Sequence, residues 1–526
     1  MFADAVVHHK AGHLAEAAKL YCALLELSSH HFDTLRLLGA LYIQNGESTR
    51  ALPILQRALS AQPKNPEILN NLGAALRDCG RGDEAAVHFQ QALAINPTFV
   101  DALLNLGAVL AAEGNDEAAS ECYEKASKQN PGDVYVLRNL AKALWQLGRK
   151  EEAYAKIKRA LRAEPKNPEV ITTFGVLLQE DGKINEALKY YNRSLAHAPE
   201  FPLALWQKSL ALLAMGNYRE GWRLYEAGLG RKRGPNHFAA FKTWNGEVAL
   251  DKHLLIWTEQ GLGDSLQFIR YAALCKQRVG KVTVLCAGQK PLVRLFKNLP
   301  FIDDAFEGTV PDGTNFVEQV PLMSLPHIFN TVLENVPASV PYLCVDSTIQ
   351  EKWNRRIARV DAPKVGLVWA GSSHQGHVDA TLMDQRRSIG LERMKAWLTF
   401  EDLRFYSLQK GPSAKEVITL GLQDRVVDFM SEVEDFADTA AIIQNLDLVI
   451  TVDTSVAHLA GGLGKPVWIL SRYDADWRWL QNRPTSPWYP TARIFGQPSP
   501  GDWGSVLSEV RRELVIEITK RRSLVM

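Results

Sequence analysis

A chain of 526 residues is too long for one hydrophobic core, so two or three domains are expected. Hydrophobic residues make up 46% and charged residues 23%, with a formal net charge of +1; this is a globular composition without the basic excess that a nucleic-acid backbone calls for. Apolar runs such as Val467-Trp468-Ile469-Leu470 are too short to span a membrane, and the first residues carry no basic-then-apolar targeting pattern. The six cysteines, at 22, 79, 122, 275, 286 and 344, form no CxxC pair and have no zinc-site spacing. Free thiols in a reducing compartment are expected, which points to the cytoplasm.

The first half repeats one unit. Glycines recur at 12, 46, 80, 114, 148, 182 and 216, a constant step of 34 residues. The same step links Ala17, Ala51, Ala85, Ala119, Ala153 and Ala187, and also Pro63, Pro97, Pro131, Pro165 and Pro199. Large residues keep register at Tyr21, Leu55, Phe89, Tyr123, Ile157, Tyr191 and Tyr225. The physics is that of a helix pair: small residues let two antiparallel helices approach, the glycine supports a turn at positive φ, and the proline ends the second helix. One pair cannot bury its apolar face alone, so neighbours stack. The last unit departs from the pattern, with Gly221 where the earlier units have alanine, and with Gly228.

This spacing resembles the tetratricopeptide repeat over residues 1 to about 230. The resemblance implies a superhelix whose concave face is built from the first helix of each pair. One position there reads Asn71, Asn105 and Asn139, continued by Thr173 and Gln207. A row of amides can hold an extended peptide backbone without reading its sequence. The other reading is that asparagine is simply common at this position. A similar row occurs in the eukaryotic O-linked N-acetylglucosamine transferase, which this half resembles.

Gly230 to Pro235 breaks the repeat and reads as a linker turn with three basic residues. Short apolar strands then alternate with amphipathic helices: strands at 253–258, 282–286, 365–369, 404–408, 448–452 and 467–470, helices at 265–278 and 292–299, and a final helix near 503–519 expected to pack back on the first lobe. This rhythm predicts parallel sheets in two lobes, with ligands at the carboxyl ends of strands.

Three constellations end those strands. Thr258-Glu259-Gln260-Gly261-Leu262-Gly263-Asp264 follows a strand and opens a helix; Gly261 and Gly263 allow a tight turn and close approach of a ligand, and Asp264 is either a general base or a helix cap. Asp453-Thr454-Ser455-Val456-Ala457-His458 ends another strand, where a helix N-terminus can cradle a diphosphate and His458 can reach it. Arg386 and Arg387, with Gln409 and Lys410 beyond a further strand, supply cationic and polar groups for phosphate.

The Gly-Leu-Gly-Asp turn at 261–264 and the Asp-Thr-Ser-Val-Ala-His-Leu-Ala segment at 453–460 look like the heptosyltransferase family of GT-B glycosyltransferases. By this resemblance Asp264 is the base, while Thr454, Ser455 and His458 lie at the donor diphosphate. Arg386 or Arg387 replaces a phosphate-binding lysine of that family, and Ser455 stands where the family usually has glycine. Asp474-Ala475-Asp476 is a DxD, the pattern that holds a metal-bound nucleotide in other glycosyltransferases. In the GT-B arrangement cations and the helix end take that role, so no metal and no cofactor beyond a nucleotide-sugar co-substrate are expected. Trp477, Trp479, Trp488 and Tyr489 either stack on a ligand or pack the lobe, core packing being the default.

The expected fold is therefore an all-α repeat superhelix over 1–232, a linker over 233–252, a GT-B fold of two Rossmann-like α/β lobes over 253–350 and 363–500, and a terminal helix over 501–526. The expected activity is metal-independent, inverting transfer of a sugar from a nucleotide sugar to a protein held by the repeats. The alternatives are a non-catalytic scaffold and a transferase acting on a lipid-linked or surface glycan.

Overall fold

A computed structural model of the protein describes residues 1–228, 241–310, 316, 318–357, 362–371, 384, 386–481 and 483–525, with side chains to residue 519. The basic turn at 230–235 and the expected boundary at 232 lie outside the described residues. Two compact units are formed, Met1–Leu177 and the described residues from Leu178 onward.

The repeats are fourteen helices, from α1 (Phe2–Lys10) through α5 (Pro66–Asp78), α6 (Gly82–Ile95) and α9 (Val134–Gln146) to α13 (Pro202–Ala214) and α14 (Tyr218–Ala227). All seven periodic glycines adopt φ between 73° and 80°, where a side chain would be strained. A second set of glycines sets the helix spacing. A Cβ on Gly39, Gly73 or Gly107 would lie 2.4 to 2.6 Å from Leu55, Phe89 or Tyr123, the large residue of the following helix. Helix starts are capped locally: Oδ1 of Asn65 accepts from the N–H groups of Glu67 and Ile68 at 3.1 and 3.2 Å, with Pro66 in the first turn of α5.

The last repeats belong to the second unit. The reason lies in α14, where Tyr218, Trp222 and Tyr225 are all buried. Tyr218 stacks on Trp488 at 5.8 Å and accepts a hydrogen bond from its indole at 3.1 Å. Trp222 meets Phe268 at 5.7 Å and Trp477 at 5.2 Å, both edge-on. An aromatic face on the final helix is thus covered by the α/β part, not by a further repeat.

Two all-parallel sheets follow. The first has the order β1-β5-β2-β3-β4, from β1 (Lys242–Thr243), β2 (Ala249–Trp257), β3 (Val279–Leu285), β4 (Asp304–Phe306) and β5 (Glu318–Pro321). The second has the order β11-β10-β9-β6-β7-β8, from β6 (Lys364–Val368), β7 (Arg404–Ser407), β8 (Val426–Asp428), β9 (Leu448–Val452), β10 (Val467–Ser471) and β11 (Ala492–Gly496). Strand β1 and the start of β2 occupy part of the span expected as linker. The helix expected over 265–278 is two, α15 (Leu262–Phe268) and α16 (Tyr271–Lys276). The C-terminal helix, Trp503–Val525, corrects a further expectation: its Trp503, Val506, Leu507, Val510 and Leu514 join the core of the second sheet with Val365, Trp397 and Phe405, not the first lobe.

Ionic groups, of which Arg270 and Asp438 are buried, tie the two sheets together. Arg270 donates to the carbonyls of Pro337 and Trp488 at 3.0 and 2.8 Å and to Tyr342 Oη at 3.0 Å. Arg294 forks onto Asp435 at 2.7 and 2.8 Å and reaches Asp438, which also accepts from the Trp353 indole at 2.6 Å. Among the described residues no helix is long and apolar enough to cross a membrane. All six cysteines are free thiols.

Candidate functional site

The carboxyl ends of β2 and β9 bring two helix starts side by side. One is α15, which follows Thr258-Glu259-Gln260. The other is the Ser455–Gly462 helix, with Thr454 at its N-cap. A Cβ on Gly263 would lie 3.0 Å from Cδ2 of His458 and 3.5 Å from Cα of Ser455. Gly263 therefore serves the approach of one helix to another, where sequence reasoning expected the approach of a ligand.

Asp264 stands at this junction with both carboxylate oxygens engaged. Oδ2 accepts from the Gly261 N–H at 2.9 Å, so Asp264 caps the helix from its first turn, while Gly261 occupies the N-cap position. Oδ1 accepts from Nη2 of Arg478, a residue 214 positions away. Arg478 also donates through Nη1 to Asp476 at 2.7 Å, and its backbone N–H reaches the same oxygen at 3.0 Å. Burial works against the Arg478 charge, but Asp264 and Asp476 outweigh it and hold the guanidinium above its ordinary range. Burial likewise works to raise the Asp476 carboxyl; Arg478 outweighs it and holds that group below the usual carboxylate range.

Beside this pair lies Asp453, whose carboxyl is pushed up by burial and by the neighbouring Asp476, against the pull of Arg387, Arg478 and Arg472. Its backbone carbonyl accepts from Nη1 of Arg387 at 2.7 Å, and Arg387 also pairs with Asp384. Arg387 is thereby fixed at the start of the Thr454-Ser455 turn. Thr454 Oγ1 lies 3.0 Å from Thr451 Oγ1. His458 is only 4% exposed, stacks on Trp479 at 5.1 Å and hydrogen-bonds Tyr489 Oη through Nδ1 at 2.9 Å. Burial first, then Arg478, pushes the imidazole well below its ordinary value, so it is neutral and walled by aromatic rings. This corrects its expected place at an accessible phosphate.

The remaining expected phosphate ligands have internal partners. Arg386 pairs with Glu180 at 3.3 Å and Asp474 at 3.4 Å, so the structure separates it from Arg387. Gln409 is buried; its Oε1 accepts from the N–H groups of Trp369 and Ala370 at 3.1 and 2.9 Å, and its Nε2 donates to the Ala370 carbonyl at 3.1 Å. Lys410 donates to the Val433 carbonyl at 2.7 Å. Gln409 holds the end of β6 in shape and does not face a ligand. Both carboxylates of the Asp474–Asp476 pair face arginines, Arg472 and Arg386 for the first and Arg478 for the second. Trp477, Trp479, Trp488 and Tyr489 are buried packing groups. Sequence reasoning missed Arg478, which lies between Trp477 and Trp479 and whose partner Asp264 is 214 positions away.

In the first unit Asn71 and Asn105 line an open pocket of about 260 Å³ with Asn70, Asp101, Ala40 and Ile43. Asn105 is partly engaged, donating to Asn70 at 2.9 Å and accepting from Arg77 at 2.7 Å. Asn139 is half-buried on α9. Thr173, buried, donates back to the Glu169 carbonyl at 2.8 Å, which removes it from the row.

Comparison with known proteins bears on the repeats. The Cilia and flagella-associated protein 70 middle TPR-like domain matches residues 35–147, and tetratricopeptide-repeat models match 2–66 and 136–167. The chain carries tetratricopeptide repeats, a scaffold for protein interaction. It is 25% identical to Protein FlbA of Caulobacter vibrioides over 326 residues, 57% of this chain and 53% of FlbA, so it spans about half the length of that relative. Solved structures it resembles include MamA (26% identity, TM-score 0.29, 31% of this chain and 95% of that one). A thermophilic TPR protein of Thermus thermophilus gives 24% identity and a TM-score of 0.32, covering 35% of this chain and 99% of its own. YrrB, described as a TPR protein with an unusual peptide-binding site, gives 20% identity and a TM-score of 0.30, covering 37% and 100%.

Proposed function

We propose that the chain is a glycosyltransferase of GT-B, heptosyltransferase-like type that moves a sugar from a nucleotide sugar to a protein captured by its repeats. The observation that carries this reading is the abutment of α15 on the Ser455–Gly462 helix. It brings the helix that carries Asp264 against a helix N-terminus at the carboxyl end of the second parallel sheet, where Arg387 is anchored on the Asp453 carbonyl. Asp264 accepts the proton of an acceptor hydroxyl while that oxygen bonds to the anomeric carbon. The bond from that carbon to the diphosphate oxygen breaks, and the leaving group carries away the electron pair. Backbone N–H groups at Thr454 and Ser455 and the Arg387 guanidinium hold it without a metal. The repeats supply the protein-binding half, with Asn71, Asn105 and Asn139 as peptide-backbone contacts.

The test begins with a thermal-shift screen of nucleoside diphosphates and nucleotide sugars on the full chain. Release of nucleoside diphosphate from the stabilising sugar donor is then measured. Asp264→Asn is expected to keep donor binding and lower turnover by about 10²–10⁴-fold. Turnover at the parental rate would remove Asp264 from the role. One observation favours a second reading, a non-catalytic nucleotide-sugar-binding scaffold: Asp264, Arg386, Gln409 and Lys410 all have internal partners. Donor binding without nucleoside diphosphate release, with several acceptors, would select it.

A further inference from the structure

Resting on the reading of Asp264 as the base, we propose that Arg478 is its positioning residue, and that the last repeat helix sets Arg478 in turn through Trp477. Arg478 is 14% exposed, and contacts to Asp264, Asp476 and Trp477 hold it in place. Its fork divides between two carboxylates, Asp264 and Asp476. Its backbone N–H holds the Asp476 oxygen that its own side chain uses. Its guanidinium carbon lies 4.3 Å over the Trp477 ring. Only arginine offers a planar cation that stacks on an indole while forking to two acceptors in different directions.

The shelf under Arg478 is itself fixed. Trp477 meets Trp222 of α14 edge-on at 5.2 Å, and it stacks at 6.2 Å on Phe268, which belongs to the same helix as Asp264. Trp222 also meets Phe268, at 5.7 Å. One repeat side chain therefore touches both the arginine's shelf and the helix that presents the carboxylate. With Gly261 holding Oδ2 and Arg478 holding Oδ1, the Asp264 carboxylate has one orientation. The other titratable groups that face the pair include Tyr218 and Tyr225 of α14, with Glu226 and Glu259 beside Tyr225, Asp453 and Asp476 next to Arg478, and the neutral His458.

The experiment uses the full chain as parent, Arg478→Lys, Arg478→Met and Trp222→Leu. Asp264 is followed by isotope-edited infrared difference spectra against Asp264→Asn, in which the position and width of the carboxylate stretching band report its hydrogen bonding. Circular dichroism checks that each variant is folded. Loss of the arginine is expected to shift and broaden the Asp264 carboxylate stretching band, with Arg478→Lys restoring part of the parent band and Trp222→Leu giving a smaller change. Nucleoside diphosphate release from the donor found in the screen is expected to fall by about 10–100-fold in Arg478→Met, with donor KM within about twofold of parent. An Asp264 carboxylate band identical in the parent and in folded Arg478→Lys and Arg478→Met would overturn the proposal and leave Arg478 a packing residue. Should Arg478→Met fail to fold, Arg478→Lys and Trp222→Leu decide it alone. A parent that releases nothing from any nucleotide sugar sinks the transferase reading, while the carboxylate band still decides whether Arg478 sets Asp264.

Discussion

Gly263 faces His458 so closely that a methyl group in its place would lie 3.0 Å from the imidazole Cδ2, with the Ser455 backbone 3.5 Å away. Gly263→Ala must separate α15 from the Ser455–Gly462 helix. Overpacking of this kind costs about 1–3 kcal/mol. Urea unfolding is expected to show a loss in that range, with donor turnover lowered as well. Gly261→Ala, whose added carbon would meet only Asp264 Oδ2 at 3.2 Å, should lose less. Equal losses would mean that the helix junction is not the tight point.

The neutral His458 makes stability depend on pH. Its folded-state value lies well below the ordinary one, so at low pH the unfolded chain binds a proton that the folded chain refuses. The stability linked to this group is complete above the unfolded value, about pH 6.5, and falls below it by about 1.4 kcal/mol per pH unit. His458→Asn is expected to flatten the fall in unfolding free energy between pH 6.5 and 5, measured by urea titration at each pH. An unchanged slope would show that other groups set it.

The two adjacent arginines should separate in binding experiments. Arg387, anchored at the Asp453 carbonyl, is expected to contact the diphosphate, whereas Arg386 is held by Glu180 and Asp474. A charge-assisted hydrogen bond contributes about 1.5–3 kcal/mol, so Arg387→Met should weaken nucleoside diphosphate binding at least about tenfold by calorimetry. Arg386→Met should leave it within about twofold and cost stability of less than about 1 kcal/mol, the range of partly exposed pairs. The reverse pattern would exchange their roles.

Because α14 covers Phe268, Trp477 and Trp488, a chain begun at residue 233 is expected to expose an aromatic surface. Increased dye binding and aggregation should follow. A chain begun at residue 178, the start of the compact unit, is expected to stay monodisperse with a cooperative melt. Indistinguishable behaviour of the two would show that the last repeats are dispensable to the sheets.

The strands read from the sequence were those with apolar runs buried on both faces, as in β9, Leu448–Val452. The strands it missed are β1, β4, β5 and β8, of two to four residues, and β11, whose apolar run is only Ile494-Phe495. In β5 Glu318 and Gln319 give no apolar strand signal, yet they are buried, with Lys252 Nζ at 2.9 Å and the Trp257 indole at 2.6 Å satisfying them. Those partners lie more than sixty positions away, and no local pattern announces them.

From the sequence alone came the repeat, its turn glycines and its helix spacing, since a 34-residue period is written in neighbours that touch within one unit. The Gly-Leu-Gly-Asp and Asp-Thr-Ser turns were legible for the same reason: backbone shape at a strand end depends on residues adjacent in the chain. Only the tertiary structure decided that Arg478 reaches Asp264, that Arg386 and Arg387 part company, and that the last repeat closes over the sheets. Each of these depends on which side chain meets an opposite charge or an aromatic face across a long stretch of chain, and that choice is made by packing.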